Sequence, residues 1–197
     1  AGARKIEVMI RRGGISSIRV TDDGSGMDRD DALLCLERHA TSKIQRAEDL
    51  AAIATMGFRG EALPSIASVA RLTLESRPAG ASEGWRRVVD HGTLVEQGPA
   101  ALPPGTRVRM EQLFARVPAR RKFLRTERSE YAACLDVVRR LAMARPDVGF
   151  TLDHGERRVF QLQTGQGIAE RVAQIVAREL ADNGVMLDVT RDAMRLT

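Results

Sequence analysis

The sequence predicts an α/β protein built on a mainly antiparallel sheet. Three observations carry this: a pair of alternating runs near the start, a series of strand-like runs separated by turn signals in the middle, and stretches of helical apolar spacing among them.

Residues 5–10 alternate, with Ile6, Val8 and Ile10 on one face. Gly13-Gly14 then offers a hairpin turn into a second alternating run over residues 18–22, which predicts an antiparallel pair. Asp28, with Asp31 three residues on, is an acidic start for a helix whose inner face carries Ala32, Leu33 and Leu36. The polar Thr41-Ser42-Lys43 interrupts it. A short helix is expected over residues 48–54, followed by a glycine-containing loop and a helix over residues 61–69, where Pro64 is tolerated in the first turn.

Residues 71–77, 84–89, 93–96 and 106–111 read as strands, divided by Pro78-Ala79-Gly80, Asp90-His91-Gly92 and Pro103-Pro104-Gly105. A helix over residues 127–144 places Tyr131, Leu135, Val138 and Ala142 on its inner face and stops at Arg145-Pro146. A hairpin, residues 150–153 and 157–163, follows. Thr164-Gly165-Gln166-Gly167 reads as a linker, which divides the chain into a first domain over residues 1–163 and the beginning of a second over residues 164–197.

With 43% hydrophobic and 29% charged residues in 197, the chain can bury a sizeable core and is not a disordered tail. No apolar run approaches the roughly 20 residues needed to cross a bilayer, and no basic-then-apolar leader is visible, so a cytoplasmic protein without membrane contact is expected. The opening Ala1-Gly2-Ala3 runs almost at once into a strand, as if cut from something longer. A net charge of +5 would suit an acidic polymer such as DNA, but the excess is small for this length and solubility is the better explanation. Nearly all the positive charge is arginine, so the lysines inside motifs, Lys43 and Lys122, are the more informative cations. Cys35 and Cys134 read as reduced core residues, and His39, His91 and His154 are scattered, so neither a zinc site nor a catalytic triad is predicted.

Asp22 is the most informative single residue. Strand parity puts it on the face of Ile18 and Val20, where a carboxylate needs a partner. Asp23-Gly24-Ser25-Gly26-Met27 follows, with two glycines where the backbone turns or passes close to something. Such an acceptor could take the exocyclic amino group of adenine, with Met27 against the ring; in isolation the five residues read better as an ordinary D-D-G turn. Gly57-Phe58-Arg59-Gly60-Glu61 runs into a helix whose free N–H groups and dipole suit a phosphate, or is a glycine-rich helix start with no ligand. Thr41-Ser42-Lys43 supplies two hydroxyls and an ammonium that could fold over a triphosphate; as a lone tripeptide it reads as a helix cap. The chain has no G-x-x-x-x-G-K-[ST] phosphate loop, so any nucleotide site is built differently.

The order and spacing of Asp22-Asp23-Gly24-Ser25-Gly26-Met27, Arg38-His39-Ala40-Thr41-Ser42-Lys43-Ile44, Gly57-Phe58-Arg59-Gly60-Glu61-Ala62-Leu63, Gly105-Thr106 and Pro118-Ala119-Arg120-Arg121-Lys122-Phe123-Leu124 resemble the MutL family of DNA mismatch repair, a branch of the GHKL ATPases. The resemblance runs nearly the whole length. Its D-x-G-x-G part is shared across the superfamily, including topoisomerases and histidine kinases, whereas H-A-T-S-K, G-F-R-G-E-A-L and P-A-R-R-K-F-L are specific to mismatch repair.

The resemblance implies a two-layer α/β sandwich of GHKL (Bergerat) type and the start of a ribosomal-protein-like second domain. It also implies an ATP site in which Asp22 accepts the adenine amino group and Gly24, Gly26 and Met27 pass the base, with Thr106 nearby. Thr41, Ser42 and Lys43 would lie at a lid over the phosphates, and Gly57, Phe58, Arg59, Gly60, Glu61, Ala62 and Leu63 would cradle them. ATP and Mg²⁺ are the implied cofactors. The family's first motif, with its catalytic glutamate and Mg²⁺-binding asparagine, should lie just before Ala1, so no catalytic or metal residue falls in this stretch, and weak ATP affinity is expected of it alone.

The activity implied is an ATP-driven clamp in a bacterial, cytoplasmic protein: slow hydrolysis, dimerisation of amino-terminal halves, sequence-independent contact with the DNA backbone, and coupling of a mismatch-recognition protein to downstream repair enzymes. The alternative is a scaffold that docks DNA or partners without nucleotide. The basic run Arg116, Arg120, Arg121, Lys122, Arg125 and Arg128 could meet DNA phosphates but reads better as a solvated face pairing with Glu127 and Glu130.

Overall fold

The computed structural model describes residues 2–40, 59–177, 180, 187–191 and 194–196. The first alternating run forms β1 (Lys5–Arg11), a short 3₁₀ turn over Arg12–Gly14 reverses the chain, and β2 (Ser17–Asp22) returns antiparallel to it. Helix α1 (Arg29–Leu34) starts where its acidic signal lies, because the Asp28 carboxylate accepts the Asp31 N–H at 2.8 Å. The helix expected over residues 48–54 lies outside the described residues.

Helix α2 (Ala62–Val69) leads into β3 (Arg71–Arg77), β4 (Gly84–Asp90), β5 (Thr93–Ala100) and β6 (Gly105–Glu111). Strand β5 runs four residues past the expected Glu96, through Gly98 and Pro99, because it is an edge strand where a proline costs no ladder bond. The Pro118-Ala119-Arg120-Arg121 segment is a short helix, α3 (Pro118–Arg121). Helix α4 (Glu127–Ala144) is capped by Thr126 and followed by the hairpin of β7 (Gly149–His154) and β8 (Arg157–Leu162). Helix α5 (Ile168–Ile175) and a small antiparallel pair, β9 (Val189–Arg191) with β10 (Met194–Leu196), complete the described elements.

One mixed sheet holds the first eight strands, in the order β5-β4-β3-β6-β2-β1-β7-β8. Every neighbouring pair is antiparallel except β1 with β7. The helices cover its apolar face in two groups. Over β1 and β7, Val138 and Ala142 of α4 and Ile175 of α5 pack with Val8, Ile10, Phe150, Leu152 and Leu162. On α4, Val138 and Ala142 are buried as expected, while Tyr131 and Leu135 are only partly covered. Over β3 and β4, Ala67 of α2 packs with Leu72 and Val89, and Arg87 ties α1 to β4 by donating to the Leu33 carbonyl at 2.8 Å.

Arg171 of α5 is fully buried and donates to the carbonyls of Ala142, Arg145, Val148 and Gln163. It joins the end of α4, the start of β7 and the end of β8. The 164–167 stretch thus precedes a helix whose buried side packs onto the sheet's core.

Candidate nucleotide site

Between the two helical groups, β2 and β6 leave a strip of the apolar face without a described helix over it. Val20, whose cross-strand partners are Val8 and Val108, is 37% exposed there although Val8 beside it is 7% exposed. Burial is the default for valine on such a face, so the strip is left open between the two helical groups.

One end of the strip is polar. Ile6, Asp22, Thr106, Ser76 and Trp85 stand in register across β1, β2, β6, β3 and β4, on the same side as the core. Asp22 is half-buried, at the edge of the apolar surface and not within it. One carboxylate oxygen accepts the Gly24 N–H at 2.9 Å, which folds the glycine turn back onto the strand. The other has capacity for a donor from a ligand or water. Asp23 instead caps the start of β1, accepting the N–H groups of Arg4 and Lys5 at 2.8 Å each.

Ser76 is a residue that sequence reasoning missed. Its Oγ accepts the Met27 N–H at 2.8 Å, donates to the Gly105 carbonyl at 3.1 Å and lies 2.9 Å from Thr106 Oγ1. With its single proton on Gly105, Ser76 takes the Thr106 proton, and the Thr106 lone pairs are left as acceptors. The signal was available: Ser76 shares the face of Leu72 and Leu74, and a polar residue in that series is fully buried. Gly26 closes the turn with φ +69°, and a Cβ there would lie 2.1 Å from the Arg77 carbonyl oxygen. No other residue fits that approach.

The second constellation lies at the start of α2. Gly60 has φ +61° and packs so tightly on Ala40 that a Cβ would fall 2.3 Å from its carbonyl oxygen. The His39 N–H donates to the Gly60 carbonyl at 3.2 Å, and His39 Nδ1 lies 3.5 Å from the Glu61 carboxylate. The H-A-T-S-K and G-F-R-G-E-A-L segments therefore meet at Ala40 and Gly60. Glu61 occupies the N-cap position of α2 but makes no side-chain cap, so the Ala62 and Leu63 N–H groups stay available to an anion. Arg59 precedes them. Thr41, Ser42, Lys43, Gly57 and Phe58 lie outside the described residues.

Among the described residues no group of three or more His, Cys, Asp or Glu could hold a metal ion. The two cysteines are free and partly buried, and burial pushes the Cys35 thiol up to about 11. In the basic run, Arg125 pairs with Glu130 at 3.3 Å as expected, but Glu127 takes Arg12 of the distant 3₁₀ turn at 2.7 Å, because α4 starts against that turn. Arg116 pairs with Asp90. No helix among the described residues is long and apolar enough to cross a membrane.

No protein-family model matches the chain. The DNA mismatch repair protein MutL of Sphingopyxis alaskensis is 63% identical over 196 residues, covering all of this chain and 32% of that protein. MutL of Rhizorhabdus wittichii is 59% identical over 197 residues, again all of this chain and 33% of the relative. The chain thus spans about a third of the length of the curated relatives it matches. Among solved structures, the Aquifex aeolicus MutL ATPase domain complexed with ADP superposes with a TM-score of 0.67 at 31% identity, over 88% of this chain and 61% of that one. The N-terminal domain of a DNA repair protein shares the fold, with a TM-score of 0.77 at 22% identity, over 95% of this chain and 55% of that one.

Proposed function

The chain belongs to the MutL family of DNA mismatch repair proteins, and from that premise we propose that it supplies most of an ATP site whose base lies on the strip between α2 and α4. The observation that carries this reading is the in-register polar row at the end of that strip, with Asp22 holding an acceptor free beside Thr106. In this reading Asp22 accepts the adenine amino group, and Thr106, positioned by Ser76, accepts from the base edge or from a water against it. Met27, held by Ser76, packs on the ring. The N–H groups of Ala62 and Leu63 take a phosphate oxygen, Gly60 fixes that helix start against Ala40, and Arg59 and Glu61 belong to the same cradle. By the family resemblance, Thr41, Ser42 and Lys43 belong at the lid over the phosphates, and Gly57 and Phe58 in the cradle with Ala62 and Leu63.

ATP supplies the phosphoanhydride whose cleavage drives the cycle. Mg²⁺ would bind through the phosphates and through residues other than those described here, because the described residues offer no ligand set for it. The residues of this chain bind and orient, and the water-activating group is expected from the family's first motif.

For the whole protein the reading is a switch: nucleotide orders the lid, two amino-terminal halves associate, and the closed clamp on DNA couples mismatch recognition to strand processing in the bacterial cytoplasm. ATP titration of the Asp22→Ala variant tests the base assignment. Loss of a charge-assisted hydrogen bond worth about 1.5–3 kcal/mol lowers affinity roughly ten- to hundredfold, and unchanged affinity in a folded variant sinks it.

A further inference from the structure

On the helix-covered side of β2, β6, β3 and β4, two side chains are charged: Asp22 and Arg87. The rest are apolar apart from Thr106, Ser76 and the indole of Trp85. Asp22 belongs to the row that ends on Trp85. Arg87 ends the next row, in which Val20, Val108, Leu74 and Arg87 stand in register, so it closes the row of the open strip. Three strand spacings, about 14 Å, separate β2 from β4.

Among the described residues Arg87 has no carboxylate partner. One N–H donates to the Leu33 carbonyl at 2.8 Å, and Nε is buried without an acceptor. Asp30 and Asp31 lie in the first turn of α1, but neither pairs with it. A half-buried guanidinium on an apolar surface is costly to leave so sparsely bonded, and one carbonyl offsets only part of that cost. Two residues back on the same side, Trp85 lies under Arg29 of α1, with the guanidinium 4.8 Å from the ring centroid. Two residues on, Val89 packs with Ala67 of α2. Arg87 thus stands between the contacts of the two helices. From Leu33 the chain passes Leu36, which packs on the same cluster as Ala67, and reaches His39 and Ala40 against Gly60.

We propose that Arg87 is a further positioning residue of the nucleotide site, whose charge is balanced by the triphosphate when ATP is bound. A ligand with a proton donor at one end and negative charge at the other complements Asp22 and Arg87 together, which is the polarity of adenine and its phosphate chain. On a half-buried surface the field of the guanidinium is screened less than in open water, so it favours phosphates held by the Ala62 and Leu63 N–H groups. The inference rests on the nucleotide reading above and adds to it a residue outside the motifs that suggested that reading.

Calorimetric titration of the intact protein with adenosine, ADP and ATP tests it. Arg87→Met keeps the apolar stem and removes the charge. Adenosine affinity should hold within about twofold while ATP affinity falls roughly tenfold and ADP affinity by less, because a charge effect grows with the charge of the ligand. Arg87→Gln retains a donor for the Leu33 carbonyl and should show the same pattern without loosening α1. Arg87→Lys keeps the charge and should recover most of the ATP affinity. The ATP deficit of Arg87→Met should shrink as salt is raised. Equal fractional losses for all three ligands, or a loss that Arg87→Lys does not rescue, would make Arg87 only a clamp on α1 and overturn the inference. Unchanged ATP affinity in the folded Met and Gln variants overturns it too, and leaves the nucleotide reading standing. If the unaltered protein binds none of the three ligands, that reading falls and the role of Arg87 with it.

Discussion

Ser76 Oγ lies 2.9 Å from Oγ1 of Thr106, its direct partner across the β3–β6 ladder, and the same Ser76 oxygen holds the Met27 N–H. One buried hydroxyl thus joins the strand that faces Asp22 to the glycine turn that follows it. Ser76→Ala leaves the Met27 N–H without its acceptor and the Gly105 carbonyl without this donor. A loss of about 1–3 kcal/mol is expected, read as a lower urea midpoint, together with weaker nucleotide binding. A variant as stable as the parent would show that water replaces the hydroxyl.

Arg171 makes the larger structural claim. Replacing it with methionine keeps the stem but strands four carbonyls at the junction of α4, β7, β8 and α5. Charged donors to buried acceptors are worth about 1.5–3 kcal/mol each at most and do not add fully, so at least about 3 kcal/mol should be lost in chemical denaturation. Hydrogen exchange should rise first in α5 and at the end of α4.

Gly26→Ala should damage the site locally. The added methyl meets the Arg77 carbonyl in a backbone conformation that side chains rarely adopt, so destabilisation of more than about 1 kcal/mol is expected. Half-buried Gly155 also has positive φ but no neighbour within 4 Å of an added Cβ, and Gly155→Ala should cost less. Equal thermal shifts for the two would contradict the close-packing account of the turn.

Asp90 gives the fold an acid-sensitive point. The hydrogen bond from His91 holds its carboxyl below the usual carboxylate range, and the charges of Arg116, His91 and Arg71 act the same way against the opposing effect of burial. Because the folded value is depressed, the stabilisation is full above the unfolded value of about 3.9 and is lost as pH falls through the lower folded one. Asp90→Asn should therefore be less stable than the parent near neutrality and converge on it under strong acid. Parallel curves of urea midpoint against pH would remove Asp90 from the acid response.

Local patterns in the sequence were enough for much of this. The β1–β2 hairpin followed from alternation around Gly13-Gly14, α1 from the spacing of Asp28 and Asp31, and α4 from its apolar period, since each depends on neighbours in the chain. The parallel pairing of β1 with β7 was not legible, because it joins Lys5 to Gly149 and no local signal names a partner that distant. Asp22 was found by parity, and the parity holds, but its position at the border of an uncovered strip depends on which helices lie over which strands. Ser76 was hidden in a run that reads simply as a strand.

The central claim is that Asp22 reads the amino group of adenine, and competitive titration of ATP against inosine triphosphate tests it most directly, in the chain extended by the family's first motif. The account predicts ATP binding roughly ten- to hundredfold tighter, since a 6-oxo group gives the carboxylate no proton to accept, with the preference narrowed or reversed in Asp22→Asn. Equal affinity of the extended chain for both nucleotides would contradict it.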